Sequence, residues 1–547
     1  MADINFRCNV RGSDFPLIST QFGRTVLAKS SEDYTNSTSK TYADSFRDRY
    51  SENAGYLYYH NVLPTIVGLR SVSYVEKFTD LGLSVGEKVI NVDILRTCGE
   101  DRLLLVSTTE GNYLSSGTGW LNVSGASANS QITMAHLHKR TVVCRSEAAV
   151  ESYDEDFGIL APLALNGLDT SKVIGVAEYA NYLIAHTGDT IYWSSLVDIL
   201  DFMPSLVTGA GSMIPNDLRG KIVFCSSINS GILIFTTANV VYGKYTGDAN
   251  FPFAFRELTD SGGITSINHV TKAGNDGIIY YWSTRGCQTI DTSTLVCDNV
   301  LPELQDFLAG GLFEDHVSDV AKFSATNVGT VWASQTQIWQ ADATPVAGLV
   351  QMAVSAGFKV GFRYIANRYF VVSYGVKNPE DLASAYTHAL VYDNQLLRWG
   401  KGKFTHVDCI DMSDTTVSTD KTVSYEPNHN IGFMAVDGSI STINSEHNNL
   451  SSDSVVYFGK LQHNRNKMTT LMSVEVENSL QSTTNLEVLT SLDGKNTQPA
   501  MQPVKQIDSP NLQKWLMRTT GINHTLRMSG SFDIVSLTGM AVTTGAR

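Results

Sequence analysis

The 547-residue chain is poor in charge, in proline and in long apolar runs. Only 17% of its residues are Asp, Glu, Lys or Arg, against about 25% in ordinary soluble domains. This composition excludes a coiled coil and a charge-rich disordered chain. The net charge of −14 argues against a protein that coats DNA with basic residues. No stretch approaches about 18 uninterrupted apolar residues, so no membrane-spanning segment is predicted.

Cysteine is also scarce, with seven residues that are scattered and form no CxxC pair. Cys287 and Cys297 are the nearest to each other in the sequence. The N-terminus lacks the basic and then apolar run of a secretory signal. These features predict synthesis in a reducing cytoplasm, with thiols that fill the core rather than form disulfides or bind metal.

What the chain has in abundance is apolar and aromatic residues, with 42% hydrophobic residues, 23 Tyr and 22 Phe. Between about residue 90 and residue 447 one short pattern recurs: four or five β-prone residues, a tight polar turn and a second strand. Turn pairs such as Gly188-Asp189 and Asp437-Gly438 accept the positive φ that a two-residue hairpin needs. The predicted hairpins are 103–114, 142–153, 182–193, 232–242, 278–290, 330–339, 389–399 and 431–443.

These turns recur roughly every 37 to 58 residues, which is the length of a four-stranded propeller blade. A hairpin cannot bury its own face, whereas radial stacking of such units buries it and leaves only short edges. The sequence therefore predicts a mainly β fold with a β-propeller of six to eight blades over residues 89–447. An insertion is expected near 309–357. A series of ordinary hairpins in sandwiches is the alternative.

The two ends of the chain differ from this pattern. Residues 1–88 include a hydroxyl-rich stretch at 34–50 without a clean apolar period, and they predict an irregular N-terminal arm or platform segment. Residues 448–547 contain longer alternating strands. They predict a C-terminal antiparallel β-domain that resembles a sandwich.

No motif indicates a metal, cofactor or phosphate site. His136 and His138 would share one face of a strand, a spacing that some metal sites use, but no third ligand lies nearby in sequence. The segments 117–119 and 209–211 lack the Lys-Ser/Thr of a phosphate loop and are interpreted as turns. We therefore predict no cofactor and no metal.

No motif indicates catalysis either. The segment 491–497 departs from the Asp-box of propeller sialidases, because its glycine comes one place early and no tryptophan follows. Acid pairs at 155–156 and 380–381 are interpreted as solvated turns, since catalytic carboxylates must converge in space. GxSxG, HExxH and EF-hand motifs are lacking. We expect no catalytic residue and no enzyme activity.

Several segments carry a more specific pattern, including DTIYWS at 189–194, DFMPS at 201–205 and TGAG at 208–211. The others lie at 231–237, 245–247, 251–255, 261–263, 301–304, 364–369, 373–375, 390–393, 398–401, 518–521 and 524–530. Together they resemble the tail nozzle proteins of short-tailed bacteriophages, also called tail tubular or packaged-DNA stabilisation proteins. The resemblance covers most of residues 180–547 and rests on turns and strand ends.

The resemblance implies a structural virion protein of the phage tail, made in the host bacterial cytoplasm. Six copies would form a ring below the portal and adaptor proteins, near the tail fibres, and extend the channel that retains and releases the genome. Genomic DNA would pass through without sequence readout. The insertion at 309–357 and the loop at 415–425 would be the moving parts.

The composition agrees with this expectation, because a β surface with few charges and many aromatic residues suits wide, permanent subunit contacts. A closed ring uses heterologous contacts, which bury two different faces of each subunit. Two other functions stay open. One is a tail-associated propeller that binds or hydrolyses glycans of the host surface, and the other is a cellular propeller adaptor.

Overall fold

Nearly all regular structure in the computed structural model is β-strand. The structure describes residues 4–10, 13–20, 57–304 and 358–546, with gaps inside the last two ranges, the widest at 412–430. Two short 3-10 helices, Thr170–Lys172 and Ile267–His269, lie between strands. The predicted mainly β fold is confirmed. The expected insertion at 309–357 and the predicted hairpin at 330–339 lie outside the described residues.

Seven groups of antiparallel strands, called sheets 1 to 7 here, follow one another along the chain. Six are separate small sheets, whereas sheet 6 is one end of a 12-stranded sheet that continues through Val62–Pro64 and Leu69–Ser71 into the C-terminal part. Sheet 1 contains Val89–Arg96, Arg102–Thr108, Gly111–Ser116 and Gly119–Gly125. Sheet 2 contains Ile132–Leu137, Arg140–Arg145, Ala149–Asp154 and Ile159–Pro162. Sheet 3 contains Gly175–Tyr179, Tyr182–His186, Ile191–Trp193 and Gly211–Met213. Sheet 4 contains Ile222–Ile228, Gly231–Thr236, Val240–Tyr245 and Phe253–Glu257.

The remaining three sheets differ slightly from this scheme. Sheet 5 contains Ile278–Ser283, Gly286–Asp291 and Cys297–Asn299, and its first strand is reduced to a bridge between Val270 and Tyr281. Sheet 6 contains Phe358–Ile365, Tyr369–Val376, Tyr386–Asp393 and Arg398–His406. Sheet 7 contains Asp408–Asp411, Ile431–Met434 and Ser439–Ile443, together with Glu76–Asp80 from the N-terminal part of the chain.

Each of the seven predicted hairpins within the described residues lies in a different sheet. The turn chemistry is as expected at Asp437-Gly438. Gly438 has a φ of 84°, and the Asp437 carboxylate accepts a hydrogen bond from the Ser439 N–H at 3.0 Å. Glycine reaches this backbone conformation without a steric penalty, so the short polar turns fix the register of the strands on either side.

The seven sheets form a closed ring, because a buried apolar core lies between each sheet and the next. The first strands of sheets 7, 1, 2, 3 and 4 contact one another in series, which places the first strand of each sheet nearest the axis. One pair of residues represents each core in ring order: Leu105 and Val143, Val142 and Val176, Ile184 and Ile234, Phe235 and Tyr281, Trp282 and Phe362, Val371 and Phe433, Met434 and Val106. The described residues therefore form a seven-bladed β-propeller.

A strand that precedes sheet 1 in the sequence closes the ring by joining sheet 7. Glu76–Asp80 is the outermost strand of sheet 7, where Thr79 pairs with Ile440 and Asp80 with Ser439. The chain then continues through Leu81, which packs in the core between sheets 7 and 1, into sheet 1. The first and last sheets are thus joined by hydrogen bonds as well as by packing.

The C-terminal part forms a sandwich of two antiparallel sheets. One consists of Leu57–His60, Val455–Leu461, Asn523–Ser531 and Thr483–Ser491 in spatial order. The other consists of Asp533–Ala546, Lys467–Asn478, Leu512–Gly521 and Lys505–Ser509. A single core lies between them and contains the fully buried Trp515. The expected C-terminal antiparallel β-domain is confirmed.

The described strands of the N-terminal segment join sheets that later residues build. Ile4–Val10 and Ser13–Thr20 pair with each other, and Cys8 of the first also pairs with Gly539 of the sandwich. Val62–Pro64 and Leu69–Ser71 form a hairpin between the two units. The domain boundaries at residues 88 and 447 stay a prediction.

That hairpin acts as a strap, a name used here for residues 61–64 and 69–72. On one side Val62 pairs with Lys401 of sheet 6, and on the other Arg70 pairs with Asp533 of the sandwich. The Asn61 side-chain oxygen accepts a hydrogen bond from the Lys403 N–H at 2.7 Å, while the Asn61 carbonyl accepts one from the Ser454 hydroxyl at 2.7 Å. The strap therefore connects the propeller and the sandwich by hydrogen bonds to both.

Candidate assembly surface

The most distinctive surface of the propeller is the loop that joins the third and fourth strands of sheet 3, here called the rim loop and comprising residues 194–210. It lies at the periphery, because the fourth strand of each sheet is farthest from the axis. Ile199 and Phe202 are buried in the core between sheets 2 and 3. These two side chains anchor the loop to the ring.

Hydrogen bonds hold the rim loop in one conformation. The Phe202 N–H donates to the Asn166 carbonyl at 2.8 Å, and the Asn166 side-chain amide donates to the Asp201 carboxylate at 2.9 Å. The Trp193 indole N–H donates to the Gly209 carbonyl at 2.9 Å, and the Ser195 hydroxyl accepts the Val197 N–H at 3.0 Å. Local bonds of this kind are the ordinary role of Ser and Asp in turns.

A glycine on the adjacent connection shows how closely the loop is seated. Gly167 has a φ of 83°, and a Cβ atom built there would lie 2.9 Å from the backbone nitrogen of Met203. Any larger residue at this position would push the loop outward. The rim loop is therefore fitted closely to the connection between sheets 2 and 3 as well as bonded to it.

The rim loop nevertheless presents large apolar side chains to solvent. Val197 is 88% exposed, Leu206 is 75% exposed and Val207 is 93% exposed, and Leu196 and Met203 are also exposed. Exposed apolar patches on a rigid scaffold are typical of surfaces that contact another macromolecule. The ordering of the loop means that little conformational entropy would be lost on contact.

Sequence reasoning did not single out these exposed residues. It placed 201–205 and 208–211 within the resemblance but could not separate the buried Ile199 and Phe202 from the exposed Val197 and Leu206. The available signal was an apolar cluster without strand or helix periodicity, interrupted by Pro204 and by Asp and Ser residues that form turns.

An ion pair joins two of the inner strands of the propeller. Arg363 of sheet 6 forms an ion pair with Asp408 of sheet 7, with 2.6 Å between Nη2 and Oδ2. Burial alone would lower the pKa of the Arg363 guanidinium, but the Asp408 carboxylate, with Tyr386 and Asp93 nearby, raises it. The cation is already compensated within the protein. The arrangement joins two neighbouring sheets near the axis and is suited to a structural role.

The predicted motifs lie apart from one another. His136 is half-buried in Ile132–Leu137, with Nδ1 2.8 Å from the Thr141 hydroxyl, whereas the exposed His138 lies in the following turn with a φ of 49°. The expectation that both imidazoles share one strand face is therefore corrected. In the part of the chain that the structure describes, no group of three or more His, Cys, Asp or Glu could hold a metal ion.

The remaining candidates have ordinary surroundings. Glu155 and Asp156 are exposed in a turn, as expected for solvated acids. Cys144, Cys225, Cys287 and Cys409 are buried free thiols, and burial raises the pKa of Cys144 to about 12. These four thiols fill the core, as predicted. Residues 117–118, 380–381 and 492–497 lie outside the described residues.

No family model and no curated protein matches the chain. Among solved structures, the extracellular domain of BT4673 from B. thetaiotaomicron has 8% identity and a TM-score of 0.41, and it matches 88% of this chain. This chain covers 62% of that one, so it spans less than two thirds of its length. The structure of YCF48 bound to D1 peptide (8% identity, TM-score 0.37) is matched over 71% of this chain and 99% of that one. The WD40 propeller domain of Doa1 (8% identity, TM-score 0.35) is matched over 70% and 100%.

Within the described residues, no helix has the length and apolar character needed to cross a membrane.

Proposed function

We propose that this chain is a structural protein of a bacteriophage tail that assembles into a ring-shaped nozzle. In this proposal six copies lie below the portal and adaptor proteins and beside the tail fibres. The ring extends the channel through which genomic DNA is retained and then released, without reading its sequence. The sequence resemblance at 189–194, 201–205 and 208–211 motivates the proposal.

The rim loop is the observation that carries this proposal. Two of the resembling segments, 201–205 and 208–211, overlap this loop, and between and before them it presents Val197, Leu206 and Val207 to solvent. A monomer would gain nothing from a rigid apolar projection at its periphery, whereas a ring needs contacts at the sides of each subunit. We expect the rim loop to pack against the neighbouring copy.

The way in which the propeller and the sandwich are joined also suits a mechanical role. The propeller is closed by packing and by strand pairing, and the strap bonds it to the sandwich through Asn61 and Ser71. These hydrogen bonds oppose movement of one unit relative to the other. Such rigidity is what a conduit under internal pressure requires.

The proposal is tested by the mass and symmetry of the purified chain. Negative-stain electron microscopy and mass photometry should show six-membered rings, and the protein should copurify with phage particles. The combined variant Leu206→Asp and Val207→Asp should lose the rings, because two charges would be buried at each contact. Its melting temperature should hardly change, since both side chains are exposed in the single subunit.

Val85→Asp is the matched control, because Val85 is exposed and lies outside the rim loop. It should leave the rings intact. A chain that remains monomeric under all conditions and is absent from virions would rule out the nozzle. A monomer that binds or cleaves glycans of the host surface would favour the alternative tail function.

A further inference from the structure

One residue of the connection between sheets 2 and 3, Asn166, holds the middle of the rim loop by three hydrogen bonds. Its N–H donates to the Leu200 carbonyl at 2.8 Å, and its carbonyl accepts the Phe202 N–H at 2.8 Å. Its side-chain amide donates to Asp201 Oδ1 at 2.9 Å, and the same oxygen accepts the Met203 N–H at 3.2 Å. A chemical change at Asn166 would therefore affect four consecutive residues of the loop.

Asn166 is followed by Gly167, and this is the only Asn-Gly pair in the whole sequence. Such a pair is prone to lose the side-chain amide, because glycine has no Cβ to hinder attack by its own backbone nitrogen. Both residues are exposed, so water reaches the amide. In the part of the chain that the structure describes, the Gly167 N–H donates no hydrogen bond. The attacking nitrogen is therefore not held back by a partner.

The reaction of this pair needs only water as a second reactant. The Gly167 nitrogen bonds to Cγ of Asn166, the bond between Cγ and Nδ2 breaks, and Nδ2 leaves as ammonia together with the Gly167 proton. Water then opens the resulting cyclic imide at one of its two carbonyl carbons. Opening at Cγ gives aspartate, and opening at the main-chain carbonyl gives isoaspartate, in which the backbone runs through Cγ. Nothing is oxidised or reduced.

Either product disturbs the bonds that hold the rim loop. An aspartate at position 166 places a carboxylate where the amide donated, 2.9 Å from Asp201 Oδ1, and two ionised carboxylates at this distance repel each other. Isoaspartate lengthens the backbone by one atom, although a Cβ built on Gly167 would already lie 2.9 Å from the Met203 nitrogen. In both products the loop loses its contacts with the connection.

We propose that Asn166 is a site of spontaneous deamidation, and that the loss of its amide releases the rim loop. The release concerns the single chain. Its effect on assembly rests on the proposed function, since Val197, Leu206 and Val207 need an ordered loop to contact a neighbouring copy. That contact would in turn hold the loop closed over Asn166, so ring formation and deamidation oppose each other. Asn166 thus limits the time during which a free subunit can still enter a ring.

The first measurement follows the reaction itself. The purified full chain is incubated at mildly alkaline pH, and peptide mapping by mass spectrometry follows the acid and isoaspartyl forms of each asparagine. Asn181 is the internal control, because it is exposed in a turn but is followed by Tyr182. Asn166 should react at least about tenfold faster than Asn181. Asn166→Gln should not react at this position, since its longer side chain would have to close a larger ring.

The second measurement tests the release of the loop without waiting for the reaction. In Asn166→Asp, the amides of Phe202 and Met203 should exchange hydrogen about tenfold faster or more, because their acceptors are displaced. The melting temperature should hardly change, since Asn166 is exposed. Asn181→Asp adds the same charge to another exposed turn and should leave both amides unaffected.

A rescue variant shows whether charge repulsion is the cause. Combining Asn166→Asp with Asp201→Asn exchanges the carboxylate and the amide. The amide introduced at 201 can donate to the carboxylate introduced at 166, and its oxygen can still accept the Met203 N–H. Hydrogen exchange should return almost to that of the unmodified chain. In mass photometry, Asn166→Asp should lose most of its rings, whereas the rescue variant and Asn181→Asp should keep them.

The outcomes separate this proposal from the nozzle itself. If Asn166 reacted no faster than Asn181, or if Asn166→Asp exchanged hydrogen as Asn181→Asp does, the proposal would be wrong even if rings formed. A rescue variant that exchanged as fast as Asn166→Asp would also overturn it. Faster exchange in Asn166→Asp, restored in the rescue variant but with no rings in any sample, would support release of the loop and reject the nozzle.

Discussion

The propeller and the sandwich bury their apolar residues in two different ways. In the propeller each sheet shares one core with the sheet before it and another with the sheet after it, around a closed circle of seven cores. In the sandwich two sheets share one core. A propeller sheet therefore depends on both neighbours, whereas the sandwich depends only on itself and on the strap.

We therefore expect a destabilising substitution to affect the two units differently. A defect in one propeller core weakens the sheets on both sides, and these in turn support the rest of the ring. A defect in the sandwich core stays within the sandwich unless the strap transmits it.

The largest effects are expected from two fully buried tryptophans. Trp399 lies in the core between sheets 5 and 6, where its ring centroid is 4.8 Å from that of Tyr392, and Trp515 lies in the sandwich core. Replacing either by Ala should cost about 3–5 kcal/mol, through lost burial and the cavity left behind.

Trp399→Ala should increase amide hydrogen exchange in all seven propeller sheets, while Trp515→Ala should increase it mainly in residues 455–546. Differential scanning calorimetry should show which transition moves. Leu121→Ala, at an exposed site, serves as the control and should change neither unit. If the Trp399 variant exchanged faster only in sheets 5 and 6, the idea of a mutually dependent ring would be wrong.

Acid should weaken the propeller through two buried histidines. Burial lowers the pKa of His186 to about 4 and that of His269 to about 4, against 6.5 for an exposed histidine. Between these values the unfolded chain binds a proton that the folded chain does not. The stability is therefore complete above pH 6.5 and is lost as the pH falls towards 4, by about 3 kcal/mol for each histidine.

Urea unfolding at pH 7 and at pH 4.5 measures this loss. His186→Gln should reduce the pH dependence, because the glutamine cannot take up the proton. The exposed His138→Gln should leave it unchanged. An identical decrease in the free energy of unfolding for the His186 variant and the unmodified chain would show that His186 does not titrate as described.

The smallest effect is expected at the strap. Asn61 has a φ of 53°, and its side chain accepts the hydrogen bond from the Lys403 N–H. Asn61→Gly keeps this backbone conformation accessible and removes the acceptor, so it should cost about 1–3 kcal/mol. We expect the thermal transitions of propeller and sandwich to move apart.

Calorimetry and limited proteolysis near residue 61 would measure this separation. Asn61→Asp retains an acceptor and should behave almost as the unmodified chain does. Transitions that remain superimposed in the glycine variant would show that packing, rather than the strap, couples the two units.

The sequence predicted the repeating part of the fold well, because hairpin turns carry local signals. Asp437-Gly438 and Gly188-Asp189 identify turns by residue type alone, and every predicted hairpin within the described residues is present. The closing strand Glu76–Asp80 was missed. It is short and polar, and its partner Ser439–Ile443 is distant in sequence, so no local pattern reveals the pairing.

The candidate surfaces were harder to predict than the fold. In the rim loop Phe202 is buried and Val207 is exposed, although both lie in the same aperiodic segment. The placement of the third and fourth strands determines which side chain packs against the propeller, and the local sequence does not show that placement.

The strap also has a consequence for how the protein is made. Ser71 donates its side-chain hydrogen bond to the carbonyl of Gly530, a residue 459 positions later. While the second half of the chain is still being synthesised, the edges of the early strands remain unpaired. Unpaired strand edges are prone to aggregation. High contact order of this kind slows folding. Nascent chains of this protein should therefore depend on chaperones until the last strands emerge, and premature termination should yield insoluble product.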